Sequence, residues 1–170
     1  MLVRPAAPAD CSAISAIYRQ SQEAYDSTME MGTSEETFRQ RLAGLGEREA
    51  LLVLVDPEVV GWGIVKQYSD RLGYRVAGET SIYLDRSLRG RGYGTRLQQA
   101  LIEQCRVFGY HHVVARIWAS NENSISFHRK FGYELVGVQK EVGFLGGQWR
   151  DVAILQRLFA EVGPYRPDLG

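Results

Sequence analysis

Cysteine is almost missing from this chain: Cys11 and Cys105 stand far apart among 170 residues and form no CxxC pair. That excludes a disulfide framework and a thiolate metal knuckle, and it fits a reducing compartment. Neither sign of charge is in excess, since Lys+Arg and Asp+Glu both total 20. Nothing global therefore points to nucleic acid or a polyanionic surface, and any anion site has to be local. No apolar run approaches membrane-spanning length, and the opening MLVRPAAPAD lacks an apolar targeting core. A cytoplasmic protein with no membrane and no nucleic-acid partner is expected. Three histidines without an HExxH-like spacing predict no metal site. Repeats and low-complexity linkers are also lacking. What is present is ordinary for a globular protein, with 45% hydrophobic and 24% charged residues. The length predicts one domain over residues 1–170, with 160–170 an extended C-terminal tail.

Periodicity supplies the elements. A short strand is predicted at 2–4. Asp10 is expected to cap a helix carrying Ile14, Ile17 and Tyr18 on one face. Ser34, followed by Glu35 and Glu36, opens a second helix with Phe38, Leu42 and Leu45 together. Strands are predicted at 51–55, 59–68 and 79–84, a helix at about 93–108, a strand at 113–118 and a helix at 120–132 stopped by Gly132. Two last strands lie near 133–142 and 149–158 around the turn FLGGQ. The order β-α-α-β-β-β-α-β-α-β-β is α/β, without the strict alternation of a doubly wound nucleotide fold.

That order limits what the stretch SLRGRGYG at 87–94 can be. Gly90, Gly92 and Gly94 alternate as GxGxG, not GxGxxG, and no Lys-Ser/Thr pair follows as in a Walker loop. A dinucleotide fingerprint also belongs early in a βαβ unit, and this one sits mid-chain. The remaining functional reading is a helix N-terminus flanked by Arg89 and Arg91, with glycines that let a diphosphate lie close to the backbone. An ordinary turn with solvated arginines explains the loop equally well when it is taken alone.

The segment from Glu79 to Tyr133 resembles the GNAT superfamily of acetyl-CoA-dependent N-acyltransferases. A strand followed by R/Q-x-x-G-x-G/A and a helix is matched by IYLDRSLRGRGYG, and Asn121, Ser124, His128 and Gly132-Tyr133 follow in the family's order. One branch is matched further, by R-x-x-Y-R at 71–75, Glu79, His128 and G-x-W-x-D-V at 147–152. These features, with the start VRPAAPADCSAISAIY, look like phosphinothricin and methionine-sulfoximine N-acetyltransferases across nearly the whole chain. Two departures fall where relatives shape the acceptor pocket. Methionines stand in YDSTMEM (25–31) where many relatives carry an aromatic, and Ser69 stands where a lysine sometimes occurs.

The resemblance implies a mixed, mostly antiparallel sheet of about seven strands, helices on both faces, and a splay between strands 4 and 5. It implies acetyl-CoA as co-substrate, with the pantetheine strand at Ile82, Tyr83 and Leu84 and the pyrophosphate loop at Arg89, Gly90, Arg91, Gly92, Tyr93 and Gly94. Asn121 and Ser124 would serve the coenzyme at the splay, although a helix cap explains Asn121 as well. Arg71, Tyr74 and Arg75 would anchor an acceptor carboxylate, a task suited to guanidinium forks. An arginine-rich surface turn is the ordinary alternative. A homodimer formed through the C-terminal strands is also implied.

Acetyl transfer to an amine needs a neutral amine, a polarised carbonyl and a neutralised leaving thiolate. Glu79 is the candidate proton acceptor, directly or through a water. On the sequence alone it reads better as a solvated strand-end carboxylate or a partner for Arg75, and the branch resemblance reverses that preference. His128 has two possible roles, accepting the amine proton or protonating the thiolate, against the plainer reading of a satisfied helix-face histidine. His111 and His112 read as strand-edge residues, Trp149 and Asp151 as structural, and Trp62 and Trp118 as core or edge. The expected function is acetyl transfer to a small amino-acid-like amine. Rival acceptors are a polyamine, a peptide N-terminus or a protein lysine, with Asp26 and Glu30 supplying acidity. Rivals of another class are a CoA-binding sensor that has lost catalysis and, weakly, a nucleic-acid domain.

Overall fold

The unbroken apolar run LLVL at 51–54 offers no polar face to water, so the strand it forms has to be covered on both sides. The computed structural model describes residues 1–28 and 32–164; Glu30, the methionines at 29 and 31, and the last part of the expected tail lie outside the described residues. In chain order the elements are β1 (Leu2–Pro5), α1 (Cys11–Glu23), α2 (Glu35–Ala43), β2 (Ala50–Val55), β3 (Val59–Gln67) and β4 (Ala77–Leu84). They continue with α3 (Tyr93–Val107), β5 (His112–Trp118), α4 (Glu122–Arg129), β6 (Glu134–Leu145) and β7 (Gln148–Leu158). Among the described residues seven strands make one sheet, ordered β1-β2-β3-β4-β5-β7-β6. Every neighbouring pair is antiparallel except β4–β5.

Strand alternation divides β2 between two cores. Leu51 and Val53 join Ile14, Ile17 and Tyr18 of α1 and Phe38 of α2, around Trp62, Ile64 and Tyr83. Leu52 and Leu54 face the opposite side, with Leu97, Leu101 and Cys105 of α3. Tyr18, Phe38, Trp62 and Tyr83 pack ring against ring, with Trp62 stacked on Tyr83 at 4.3 Å. Both cysteines are buried and free.

Several expected boundaries shift for local reasons. A 3-10 turn at Pro8–Asp10 precedes α1, and Asp10 holds the N-cap position without a side-chain capping bond to the helix. Its carboxylate instead receives Arg4 at 2.7 and 2.9 Å and the Ala7 N–H at 2.7 Å. Ser34 does cap α2, accepting from the Thr37 N–H at 3.1 Å. The expected helix at 120–132 is shorter, because Asn121 is its N-cap and Lys130 its C-cap, and Gly132 then turns the chain at φ 77. The last two strands run further than their sequence suggests and meet in a two-residue turn, Gly146-Gly147, both at positive φ.

The β4–β5 pairing is what places the site. It holds for Ala77↔His112, Gly78↔Val113 and Glu79↔Val114 and then stops. Both strands continue, β4 beside β3 to Leu84↔Gly61 and β5 beside β7 to Trp118↔Val152. A crevice therefore opens between 80–84 and 115–118.

Gly63 lets α3 settle on β3. A Cβ there would lie 2.6 Å from Leu101 Cδ1 and 3.0 Å from the Ser81 carbonyl oxygen. Gly63→Ala is expected to lose about 1–3 kcal/mol in a urea titration. Gly73→Ala, where a Cβ meets nothing within 4 Å, is expected to change stability by less than about 0.5 kcal/mol.

Candidate active site

The glycine loop forms one wall of a groove that runs into the crevice. Gly92 takes φ 84, a left-handed conformation that favours glycine, and α3 begins at the next residue. Among the described residues no side-chain capping bond is made to α3, which leaves its first N–H groups and positive dipole end open to an anion. The groove holds about 630 Å³ and is lined by Ile82, Tyr83, Leu84, Arg89, Gly90, Gly92, Gly94, Asn121 and Ser124 of the expected residues. Ser21, Asp26, Thr95, Asn123 and Phe127 also line it. A Cβ on Gly90 or Gly92 would meet nothing within 4 Å, while one on Gly94 would crowd Leu84 at 3.2 Å and Phe127 at 3.4 Å. Open glycines at an uncapped helix start are suited to a diphosphate, so the residues present fit a coenzyme of this kind.

Two expected loop residues do not line the groove. Tyr93 donates its hydroxyl to Asp56 at 2.9 Å, and Arg91 stands outside the lining. Arg89 lines it while paired to Asp26 at 3.0 Å, and Arg86 is bound to the same carboxylate oxygen. Asp26, weighed above as a source of acidity for a cationic acceptor, is therefore engaged by two arginines.

The crevice beyond the groove is lined by Ser27, Thr28, Thr80, Ser81, Ile82, Arg116 and His128, among others. Thr28 donates to the Arg116 carbonyl at 3.2 Å, meeting one backbone group that the parted strands leave unmatched. Trp118 donates its Nε1–H to the Ser27 carbonyl at 2.9 Å, which fastens the 27–28 segment over the opening.

Glu79 is not the first residue of its strand but the last of β4 to pair with β5. It is 7% exposed. Its partner is not Arg75 but Arg116 of β5, at 2.9 Å, with Lys66 of β3 at 3.6 Å. Arg75 accepts Arg48 on its carbonyl, at 2.6 Å. His128 is 3% exposed and packs edge-on to Tyr133 at 5.2 Å. Its Nδ1 lies 2.8 Å from the Ser124 carbonyl, which can only accept, so Nδ1 carries the proton and Nε2 the lone pair. Burial pushes its pKa down, partly offset by that hydrogen bond. Behind it, the buried Tyr133 hydroxyl meets Thr80 at 3.2 Å and Gln98 at 3.4 Å, and desolvation pushes its pKa up to about 12.

Arg71, Tyr74 and Arg75 line neither groove nor crevice. They occupy the β3–β4 connection, where Arg71 precedes a 3-10 turn and Tyr74, 46% exposed, lies 5.8 Å from Tyr68. Sequence reasoning missed Arg116 and Lys66. The signal for Arg116 was a charge inside the apolar run VVARIW; it is the one exposed position of β5.

The acetyltransferase (GNAT) family model matches residues 14–133. A Pseudomonas aeruginosa protein named L-methionine sulfoximine/L-methionine sulfone acetyltransferase is 32% identical over 91% of this chain and 92% of its own. A solved phosphinothricin acetyltransferase from Sinorhizobium meliloti, in complex with acetyl-CoA, superposes with TM-score 0.89 at 32% identity, covering 99% of this chain and 94% of that one. A ribosomal-protein-alanine N-acetyltransferase from Brucella melitensis superposes with TM-score 0.88, also at 32% identity, covering 94% and 100%.

Burial of neutral His128 carries a pH signature. In the unfolded chain the ring titrates at its ordinary value of 6.5, whereas the folded chain resists protonation. Below about pH 6.5 the unfolded state thus binds more protons, and stability falls as pH falls. Calorimetric Tm is expected to decline from pH 7 to pH 5, and His128→Gln to show a shallower decline. An equally steep decline in that variant would assign the titration to another group.

Proposed function

We propose, for a chain that belongs to the acetyltransferase (GNAT) family and is an acetyl-CoA-dependent N-acetyltransferase, that its acceptor is the α-amine of a small amino-acid-like molecule. Phosphinothricin, methionine sulfoximine and methionine sulfone are the leading types, and removal of a toxic glutamine analogue is the biological sense. The observation that carries this reading is the position of Glu79, a buried carboxylate at the last paired rung of β4 and β5, one residue before Thr80 of the crevice lining. The identity to the methionine sulfoximine/sulfone enzyme over 91% of the chain supports the acceptor class.

On this reading Ile82, Tyr83 and Leu84 offer the free edge of β4 to the amides of the coenzyme arm. Gly90, Gly92, Gly94 and the first N–H groups of α3 hold the diphosphate, with Arg89 adding charge. Tyr93 and Arg91 contribute through the backbone. Asn121 and Ser124 shape the opposite wall. Acetyl-CoA, when bound, supplies a thioester carbonyl carbon to which the amine nitrogen bonds as the carbon–sulfur bond breaks and its electron pair leaves on sulfur. Glu79 takes the ammonium proton, directly or through a water, and so creates the neutral amine. His128, neutral with its lone pair on Nε2, is a second acceptor.

The enzyme works in the cytoplasm, consistent with two free thiols, and as a homodimer. Support for the dimer comes from the last hairpin, where Val136, Val142, Phe144 and Trp149 are 58, 54, 60 and 64% exposed. Apolar residues gathered on one exposed hairpin suit a second copy. The Brucella relative favours a second reading, an N-terminal peptide amine as acceptor.

CoA release with a panel of these amino acids, a polyamine and an alanine-terminated peptide tests the acceptor class, and turnover confined to the polyamine or the peptide would overturn it. Glu79→Gln is expected to lower kcat by about 10²–10⁴ while thermal stabilisation by acetyl-CoA survives. Gly92→Val is expected to weaken acetyl-CoA binding about tenfold or more, because valine resists φ 84. Trp149→Glu is expected to shift sedimentation toward the monomer.

A further inference from the structure

We infer that Arg116 is the residue that selects a carboxylate-bearing acceptor, and that the Glu79–Arg116 pair reads the two charges of an α-amino acid together; this rests on the acceptor class proposed above. Three observations carry it. The first is charge arithmetic at one point of the sheet. Among the described residues Glu79 is the one carboxylate bonded there, and it faces two cations, Arg116 at 2.9 Å and Lys66 at 3.6 Å. One positive charge is therefore in surplus beside a carboxylate whose side chain is only 9% exposed. A buried carboxylate needs a partner, but it does not need two.

The second is direction. Lys66 pairs with Glu79 across β3 and β4, Glu79 pairs with Val114 across β4 and β5, and Arg116 stands two residues beyond Val114. Alternation puts all three side chains on one face of the sheet. Arg116 is 38% exposed in its side chain, so its guanidinium reaches solvent while still bonding Glu79. A fork with five donors can hold one carboxylate and still receive another.

The third is the space it faces. Arg116 lines the crevice and also a hollow of about 570 Å³ next to it. Tyr68, Trp118, Val142 and Phe144 give that hollow apolar walls. Arg116 lies over the Tyr68 ring at 5.6 Å, which orients the guanidinium from beneath. Among the described residues no carboxylate lines the hollow. An acceptor seated there brings its ammonium to Glu79, its carboxylate to Arg116 and an uncharged side chain to the aromatic walls. A polyamine would find Glu79 for one ammonium, but a surplus cation and no acid in the hollow for another.

The test compares methionine sulfone with its decarboxylated amine, 3-(methylsulfonyl)propylamine, in the wild-type chain and in Arg116→Gln. The ratio of the two kcat/KM values is the readout, because damage to Glu79 or to folding lowers both numbers and leaves the ratio. Thermal stabilisation by each compound in the presence of CoA gives a binding readout that needs no turnover. The wild type is expected to favour the amino acid, and Arg116→Gln to lower the ratio about tenfold or more, with the loss mainly in KM for the amino acid. Arg116→Lys keeps the charge without the fork and is expected to lie between the two; it carries the same comparison if the Gln variant does not fold. A ratio unchanged in either variant, or a wild type that prefers the decarboxylated amine, overturns the role of Arg116 while leaving acetyl transfer intact. Arg116-dependent binding of methionine sulfone without turnover supports the carboxylate site and overturns the proposed acceptor.

Discussion

The site depends on the early end of one pair of strands. β4 and β5 are bonded through Glu79↔Val114 and part after it. Opening a sheet at its centre leaves backbone N–H and C=O groups without partners, a cost that native folds avoid unless something meets it. The cost stays local here because each strand keeps its outer neighbour, β4 along β3 and β5 along β7. Thr28 meets the Arg116 carbonyl from one side, and the groove leads to the rest from the other. An extended amide-bearing molecule laid in the crevice would restore a ladder that the protein leaves unfinished.

The chain's balanced net charge conceals a repeated local arrangement. At the loop end of the opening, Asp26 binds Arg86 and Arg89. At the sheet end, Glu79 binds Arg116 and Lys66. Each carboxylate holds two cations, so each bonded trio carries one positive charge in surplus. An anionic diphosphate at one end and an acceptor carboxylate at the other would each find that charge without requiring an isolated buried cation, whose desolvation would be costly. The internal carboxylates also hold the arginines in place before a ligand arrives, which lowers the ordering cost of binding.

Much of this was legible in the sequence, and the division follows the range of the interaction. The order of elements, the Ser34 cap and the helix after Gly92 rest on residues within a few positions of one another, and the structure has them where local rules put them. Partners across the sheet were not legible. Arg75 is near Glu79 in sequence, but the strand register brings Arg116 there instead. Tyr93 belongs to the glycine loop, but Asp56 draws its hydroxyl off the groove. Asp10 looks like a helix cap, but Arg4 on the neighbouring strand claims it. In each case a charged or hydroxyl group finds a distant partner that no local pattern encodes.

The tautomer of His128 constrains how protons can move. With its Nδ1–H committed to the Ser124 carbonyl and burial disfavouring a second proton, the ring has none to give until it has received one. Glu79, ion-paired to two cations, is likewise an acceptor. His128 in the crevice lining and Glu79, one residue before the lining residue Thr80, are thus two proton acceptors with no ready donor between them on the proposed reading. An ammonium acceptor, however, brings its own supply, because forming an amide removes two protons from its nitrogen. The first must leave before attack, and the second is released as the new bond forms, when the departing sulfur requires one. On the proposed reading Glu79 takes the first and Nε2 of His128 relays the second, so the ring serves as acid only after it has served as base.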